Sequence, residues 1–229
     1  MAKSRHQKHA GSLSISPPEL PDETVAELEF DGLLRPEDRY AEFALSNRDL
    51  TRQTAARVTM QYARFRDVAL AAAELKFLRL TDARFDHCDL ANLNWSQSSF
   101  NRIEIVDSRM TGIRFTDSDL RNVSFEVSTV DQAQFRACAF KDCRFLNCNL
   151  REAEFNDANL QGVVFSGCDL RGAQMYGANL KGTDFRGAQL QGLQVGVEDL
   201  RGAVVDSTQL LDLADDLARL IGLRVMDTD

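Results

Sequence analysis

Three groupings in this 229-residue chain stand out by side-chain type and spacing as able to do chemistry. His6-Gln7-Lys8-His9 sets two imidazoles three residues apart, a spacing that serves metal ligation. Two ligands on a basic, Ser/Pro-rich N-terminal stretch fall short of what a zinc site requires. Asp86-His87 places a carboxylate beside an imidazole, the pair from which a general base is made, but no nucleophile motif accompanies it. Cys88, Cys138, Cys143, Cys148 and Cys168 offer thiol chemistry, yet none forms a Cys-x-x-Cys pair. The sequence also lacks a Walker loop and a dinucleotide fingerprint. Nucleophile, base and orienting group are nowhere assembled, so we expect no enzyme, no cofactor, and no catalytic, cofactor-binding or metal-binding residues.

The element that positions these residues is a repeat. From Phe65 to Val205 every fifth residue is large and apolar, Phe85, Trp95, Phe125, Phe145, Phe165 and Phe185 among them. The residue two before each is small or at least apolar, as at Ala63, Leu78, Ser98, Ile103, Ser118 and Ala158, and Glu198 is the one charged member of this column. All five cysteines fall in the same column. A period of five fits neither a helix at 3.6 nor a flat strand at 2, so the chain must turn a corner once per repeat and bury two positions in five. That is a solenoid. Its phase makes the cysteines core filler, Trp95 a core residue and His87 a solvated one.

Ala158-Asn159-Leu160-Gln161-Gly162, Ala173-Gln174-Met175-Tyr176-Gly177, Ala178-Asn179-Leu180-Lys181-Gly182 and Ala188-Gln189-Leu190-Gln191-Gly192 resemble the A-(D/N)-L-x-x motif of the pentapeptide-repeat proteins. The resemblance covers about three quarters of the chain. It implies an all-β fold, a right-handed quadrilateral parallel β-helix with four pentapeptides per coil, so that residues twenty apart stack. Phe65, Phe85, Ile105, Phe125, Phe145, Phe165 and Phe185 then form one wall of the core. Leu75, Trp95, Phe115, Phe135, Phe155 and Met175 face them, and mostly leucines line the other two sides. Gly162 to Gly192 share the phase where a corner needs freedom of φ. Cys148 and Cys168 become neighbours about 4.8 Å apart, as adjacent strands are. Free thiols are expected there rather than a disulfide.

The unbroken register leaves room for one repeat domain with short flanks. Residues 1–21 are expected to form a flexible basic tail, 22–44 an N-terminal lead-in, 45–205 the β-helix and 206–229 a C-terminal helical cap. The lead-in combines Val25 to Phe30, an Asp31-Gly32 turn and a run from Tyr40 to Leu45, while Arg48, Gln53 and Ala55 mark the first coil as imperfect. Ser207 can cap a helix in which Leu210, Leu213, Ala214, Leu217, Leu220 and Ile221 recur at three and four, with Gly222 as its stop. Those apolar residues plug the open end or, as resemblance to the antibiotic-resistance members implies, form a homodimer contact. No stretch approaches the ~18 apolar residues of a membrane span. We expect no membrane partner and a cytoplasmic location.

Some pentapeptide-repeat proteins resemble B-form DNA in shape and charge and bind DNA gyrase, protecting it from quinolones; the resemblance makes gyrase a candidate partner. Charge weighs against it. About eight coils make a rod near 38 Å, along which duplex DNA, with one charge per ~1.7 Å, would set about twenty excess negatives. The chain's net charge is −8, and residues 61–205 hold 19 acidic against 17 basic side chains, a net of −2. One wall lines up Arg121, Lys141, Lys181 and Arg201 at multiples of twenty, interrupted by Gln161, with Asp119, Asp142 and Asp199 close by. This row is a candidate contact for an anion or an acidic partner on an otherwise balanced surface. Val106, Val127, Leu146, Val164 and Tyr176 are expected outside the core. The expected function is a non-enzymatic scaffold presenting a rigid rod to a protein partner of unknown identity, with no direct nucleic-acid binding. A gyrase-binding DNA mimic giving quinolone tolerance is the alternative.

Overall fold

The computed structural model describes residues 15–20 and 32–223. The chain winds into a parallel β-solenoid with a constant register of twenty residues per coil. Five long strands, β1 (Arg39–Ser46), β2 (Thr59–Arg66), β3 (Arg79–Asp86), β4 (Ser99–Val106) and β5 (Asp119–Glu126), are followed by β6 (Ala139–Lys141), β7 (Arg144–Leu146) and β8 (Val164–Ser166). All pair in parallel, with Phe65 beside Phe85, Phe85 beside Ile105 and Phe125 beside Phe145. Each long strand bends at its fourth residue and so covers two walls. The other two walls are successions of single bridges, Asp49 to Ala69 to Asp89 and Thr54 to Glu74 to Asn94. Main-chain N–H groups donate to the next coil, Leu70 to Asp89 and Trp95 to Arg114 at 2.7 Å each, so most of the backbone is satisfied between coils, with turns such as Ala73 N–H to the Leu70 carbonyl within them.

Large side chains at every fifth position fill the axis. Rings stack within a wall at 4.4 Å for Phe65 and Phe85, 4.4 Å for Phe125 and Phe145 and 4.9 Å for Phe135 and Phe155. Opposite walls meet edge to face, Phe125 to Phe135 at 6.1 Å and Phe145 to Phe155 at 6.1 Å. Burial of each large side chain stabilises by about 1.5–3 kcal/mol. The small inward column has a polar purpose that spacing does not reveal. The hydroxyls of Ser98, Ser108 and Ser128 accept the N–H groups of Leu78, Cys88 and Ser108 at 2.9, 3.0 and 3.1 Å.

The corners differ from expectation. Left-handed backbone is not confined to the glycine-rich C-terminal coils: twenty-four non-glycine residues from Glu37 to Asp157, one every fifth position, also have positive φ. The corner geometry belongs to the coil and is imposed on whatever residue falls there. Asn and Asp tolerate it; Val127, at φ 52°, is β-branched and strained.

Both ends also depart from the simple count. The first rung begins at Arg39, upstream of residue 45, because Tyr40 and Leu45 pair with Met60 and Phe65 instead of lying over the coil. Leu34 supplies the cover: it is buried, and Gln53 accepts its N–H at 2.7 Å while donating to the Gly32 carbonyl at 2.5 Å. Residues Val25 to Asp31 of the expected lead-in lie outside the described residues.

Near the other end one rung is displaced by one residue, since Gly162 N–H donates to the Lys181 carbonyl but Gly182 N–H donates to that of Gly202, before Asp184 and Val204 pair again twenty residues apart. A turn at Gly196–Asp199 causes it, closed by Asp199 N–H on the Gly196 carbonyl at 3.1 Å and Gly196 N–H on the Asp199 carboxylate at 3.2 Å. Glu198, placed inward by the count of five, is therefore exposed, which spares the axis an unpaired carboxylate. The C-terminal helix α1 (Ser207–Leu220) is capped by Asp206 rather than Ser207, with Gln209 completing a capping box. Among the described residues no helix is long and apolar enough to cross a membrane.

Candidate interaction surface

The solenoid brings part of the basic row together. Arg121 and Lys141 are register partners in β5 and β6, and Gln161 and Lys181 follow, all exposed. Arg201 does not complete the column. The slip sets it one residue out of step, and its guanidinium pairs with Glu198 at 2.7 Å. Asp199 is likewise committed to the turn, accepting the Gly177 N–H at 2.9 Å as well as that of Gly196. Arg121, Lys141 and Lys181 have no ion-pair partner among the described residues.

Many other charges on the walls neutralise one another, within a coil or between coils. Arg84 bridges Asp86 at 2.7 Å and Glu104 at 2.8 Å, and Arg114 reaches Glu74, two coils away, at 2.8 Å. Arg144 holds Glu126 at 2.9 Å. Burial opposes ionisation of Glu126, but hydrogen bonds from Ser124 and Arg144 outweigh it and keep the carboxyl below its ordinary value. Arg171 and Arg186 hold Asp169 and Asp184 below theirs in the same way.

The groupings that suggested chemistry are dispersed. His87 sits on the surface with Nδ1 3.0 Å from the Asp107 carboxylate, while its sequence neighbour Asp86 is held by Arg84. His6 and His9 lie outside the described residues. The five thiols are free and buried, and burial pushes Cys88, Cys138 and Cys143 up to about 12. Cys168 is raised as well, by the adjacent Cys148 and by burial. Of the five apolar residues expected outside, Val127 and Tyr176 are exposed and Val106, Leu146 and Val164 are half-buried. Val106 and Leu146 share a column but are separated by Glu126, so no continuous patch forms.

A feature the sequence reading missed is a groove of about 700 Å³ beside the first five coils, lined by Arg39, Arg57, Phe77, Arg79, Asp117 and Asp119. The Arg57 guanidinium lies 5.5 Å from the centre of the Phe77 ring. An aromatic at the outward corner phase was its only sequence signal. The α1 residues divide between two roles. Leu213 and Gln209 are buried on the solenoid end, and Leu217 packs against the core. Leu210 and Ile221 are exposed at 53 % and 58 %, as are Leu211 and Leu223 at 77 % and 61 %. Leu220 belongs to the helix by its backbone, and its side chain lies outside the described part of the structure.

Part of the expected flexible tail is docked. The N–H groups of Ser16 and Glu19 donate to Asn122 Oδ1 at 3.0 Å and Asp82 Oδ1 at 2.7 Å. Pro17 and Pro18 reduce the entropy lost in fixing this segment, so composition alone misjudged it.

A family model described as Pentapeptide repeat region matches residues 78–139 and 122–195, the stretch in which the register never slips. The chain belongs to the pentapeptide-repeat proteins. This pentapeptide-repeat protein is similar to HetL of the cyanobacterium Nostoc sp. strain PCC 7120, a protein involved in heterocyst differentiation regulation, at 19 % identity over 74 % of this chain and 85 % of that one, with a TM-score of 0.37. Similarity to full-length QnrB1, a plasmid-mediated fluoroquinolone resistance protein, is 18 % over 78 % of this chain and 98 % of that one, with a TM-score of 0.38. A pentapeptide repeat protein of the Arabidopsis thaliana thylakoid lumen matches at 19 % over 58 % and 71 %, with a TM-score of 0.25. Comparison with curated proteins returns no match.

Proposed function

We propose that this pentapeptide-repeat protein is a non-enzymatic interaction module that presents the outer walls of a rigid rod to a protein partner in the cytoplasm. The column of Arg121, Lys141 and Lys181 carries this reading: three exposed cations aligned in one register column, with no ion-pair partner among the described residues, whereas Arg84, Arg109, Arg114, Arg144, Arg171 and Arg186 each hold a carboxylate. An acidic partner face would complement them and be steered to them. The triple variant Arg121→Gln, Lys141→Gln, Lys181→Gln is expected to lose a partner captured by the unaltered chain in a pull-down. Undiminished capture would remove the column from the interface.

The same column weighs against the gyrase-binding DNA mimic, whose surface should be uniformly anionic. A supercoiling assay with purified gyrase and ciprofloxacin separates the two readings, and protection of gyrase by the chain would establish the mimic. The exposed Leu210, Leu211, Ile221 and Leu223 favour a homodimer contact through the outer side of α1. Sedimentation at micromolar concentration tests it: a dimeric mass that Leu211→Glu reduces to monomer is expected, and a monomeric mass for the unaltered chain refutes it.

A further inference from the structure

The docked segment reports on the surface beneath it. Asp82, Arg102 and Asn122 occupy one corner of three successive coils, each with left-handed backbone. Asp82 is fully buried, yet its carboxylate is completed by Arg102, whose Nε and terminal nitrogen donate at 2.6 and 2.5 Å. The Glu19 N–H adds a third donor, and the Glu19 carboxylate favours the charged form of Arg102 from beyond ion-pair distance. The Arg102 pair balances the buried charge without the segment, so the corner stands ready when the segment leaves.

The spacing explains why an extended proline segment fits. Asn122 and Asp82 are two coils apart, about 9.6 Å at adjacent-strand spacing. Ser16 and Glu19 are three residues apart, which spans about 9.3 Å in a polyproline II helix. The same three residues in an α-helix would span only about 4.5 Å, one coil. Ser16 and Pro17 each precede a proline and are biased away from helix, and both prolines have φ fixed near the polyproline value. One face of such a segment therefore meets every second coil in step. Both hydrogen bonds come from its main chain, so the corner reads backbone geometry and one carboxylate rather than side-chain identity.

We propose that the Asp82–Arg102–Asn122 corner is a docking site for an extended, proline-containing acidic segment of a protein partner, and that residues 15–20 occupy it as a stand-in from the same chain. The proposal rests on the interaction reading above and narrows it to one site. A tethered stand-in competes at high effective concentration, so the partner segment must displace it.

The test uses the full chain carrying Ser16→Pro and Glu19→Pro, which deletes both N–H donors and leaves the corner untouched. A fluorescein-labelled peptide of sequence ISPPEL is titrated and followed by anisotropy. Saturable binding to the opened chain is expected, at least tenfold tighter than to the unaltered chain. Adding Asn122→Gly, which accepts the positive φ and removes the acceptor, should weaken binding about fivefold. Replacing the peptide's glutamate by glutamine should weaken it further. Circular dichroism melts confirm that each variant is folded. Absence of saturable binding to the opened chain, equal binding of a scrambled peptide, or indifference to Asn122→Gly would each overturn the site. A partner still captured through Arg121, Lys141 and Lys181 would then leave the broader interaction reading standing, so the two failures are distinguishable.

Discussion

Exchanging residue types between two stacked corners isolates the strain that this solenoid carries. Val127 and Asn147 occupy the same corner of successive coils, both at φ 52°, and their N–H groups donate to the next coil at 2.9 and 2.8 Å. Left-handed backbone costs an L-residue about 1–2 kcal/mol, with Asn at the low end and a β-branched side chain at the high end. Val127→Asn should therefore recover about 1 kcal/mol of strain. Val127 is 57 % exposed, so the apolar burial forfeited is small, about half a kcal/mol at most. The net gain of about 0.5–1 kcal/mol corresponds to a rise in Tm of about 1–4 °C for a chain of this size. Asn147→Val should produce a fall of similar size, because that exposed corner has the same geometry. Differential scanning calorimetry of the two single variants reads both shifts. An unchanged or lower Tm for Val127→Asn, with no loss in Asn147→Val, would refute the assignment of strain to residue type at the corner.

Gln209 donates to the carbonyls of Phe185 and Ala188 at 2.5 and 2.7 Å; the Phe185 carbonyl also accepts the Ala188 N–H at 2.9 Å, so Gln209→Ala should leave the buried Ala188 carbonyl unsatisfied and cost about 1–3 kcal/mol in urea unfolding. The Asp206 carboxylate is held below its ordinary value of 3.8, chiefly by accepting the Gln209 N–H. A depressed folded value means that its contribution is complete above pH 3.8 and disappears as pH falls below it; hydrogen exchange across 207–220 should accelerate in that window, and in Asp206→Ala already at pH 7. Native protein at pH 8 should show no fast thiol reaction with a disulfide reagent and five reactive thiols in denaturant, because all five cysteines are buried.

The core was legible because a coil leaves a residue few choices. With two positions in five turned inward, and with the four pentapeptides per coil that the resemblance implies, Phe125, Phe145 and Phe165 could be placed in one stack, and they stack at 4.4 and 5.0 Å. The slip at Gly196–Asp199 carried a readable warning, a valine at the corner phase followed by a glutamate at the inward phase. Val127 shows why half of that warning is ambiguous: a single β-branched corner is endured when the next coil stays in register. The candidate row was partly legible, since Arg121, Lys141 and Lys181 depend only on the period and the coil length that the resemblance implies, whereas Arg201 depends on the displaced rung. The docked segment was not legible. Its two hydrogen bonds come from main-chain N–H groups, and Asp82 and Arg102 have the sequence appearance of an ordinary surface pair.

The two ends show how a repeat that could continue indefinitely is stopped, and so where partners can approach. A solenoid exposes an unpaired rung and an open core at each end, an invitation to edge pairing with another chain. Here the same side chain closes both. Gln53 accepts from Leu34 and donates to Gly32, drawing the entering chain over the first coil. Gln209 donates to Phe185 and Ala188 while its oxygen accepts the Asp206 N–H at 2.9 Å, drawing α1 over the last. An amide suits the task because one planar group offers a donor and an acceptor to backbone that has lost its neighbouring coil. Each clasp also seats one leucine, Leu34 or Leu213, on the exposed apolar end. These clasps cover the core at the two ends, and the contacts proposed above lie on the walls and corners. There Arg121, Lys141, Lys181 and the proline-bearing corner lie, while the exposed Leu210 and Leu211 of α1 are the basis of the homodimer contact proposed above.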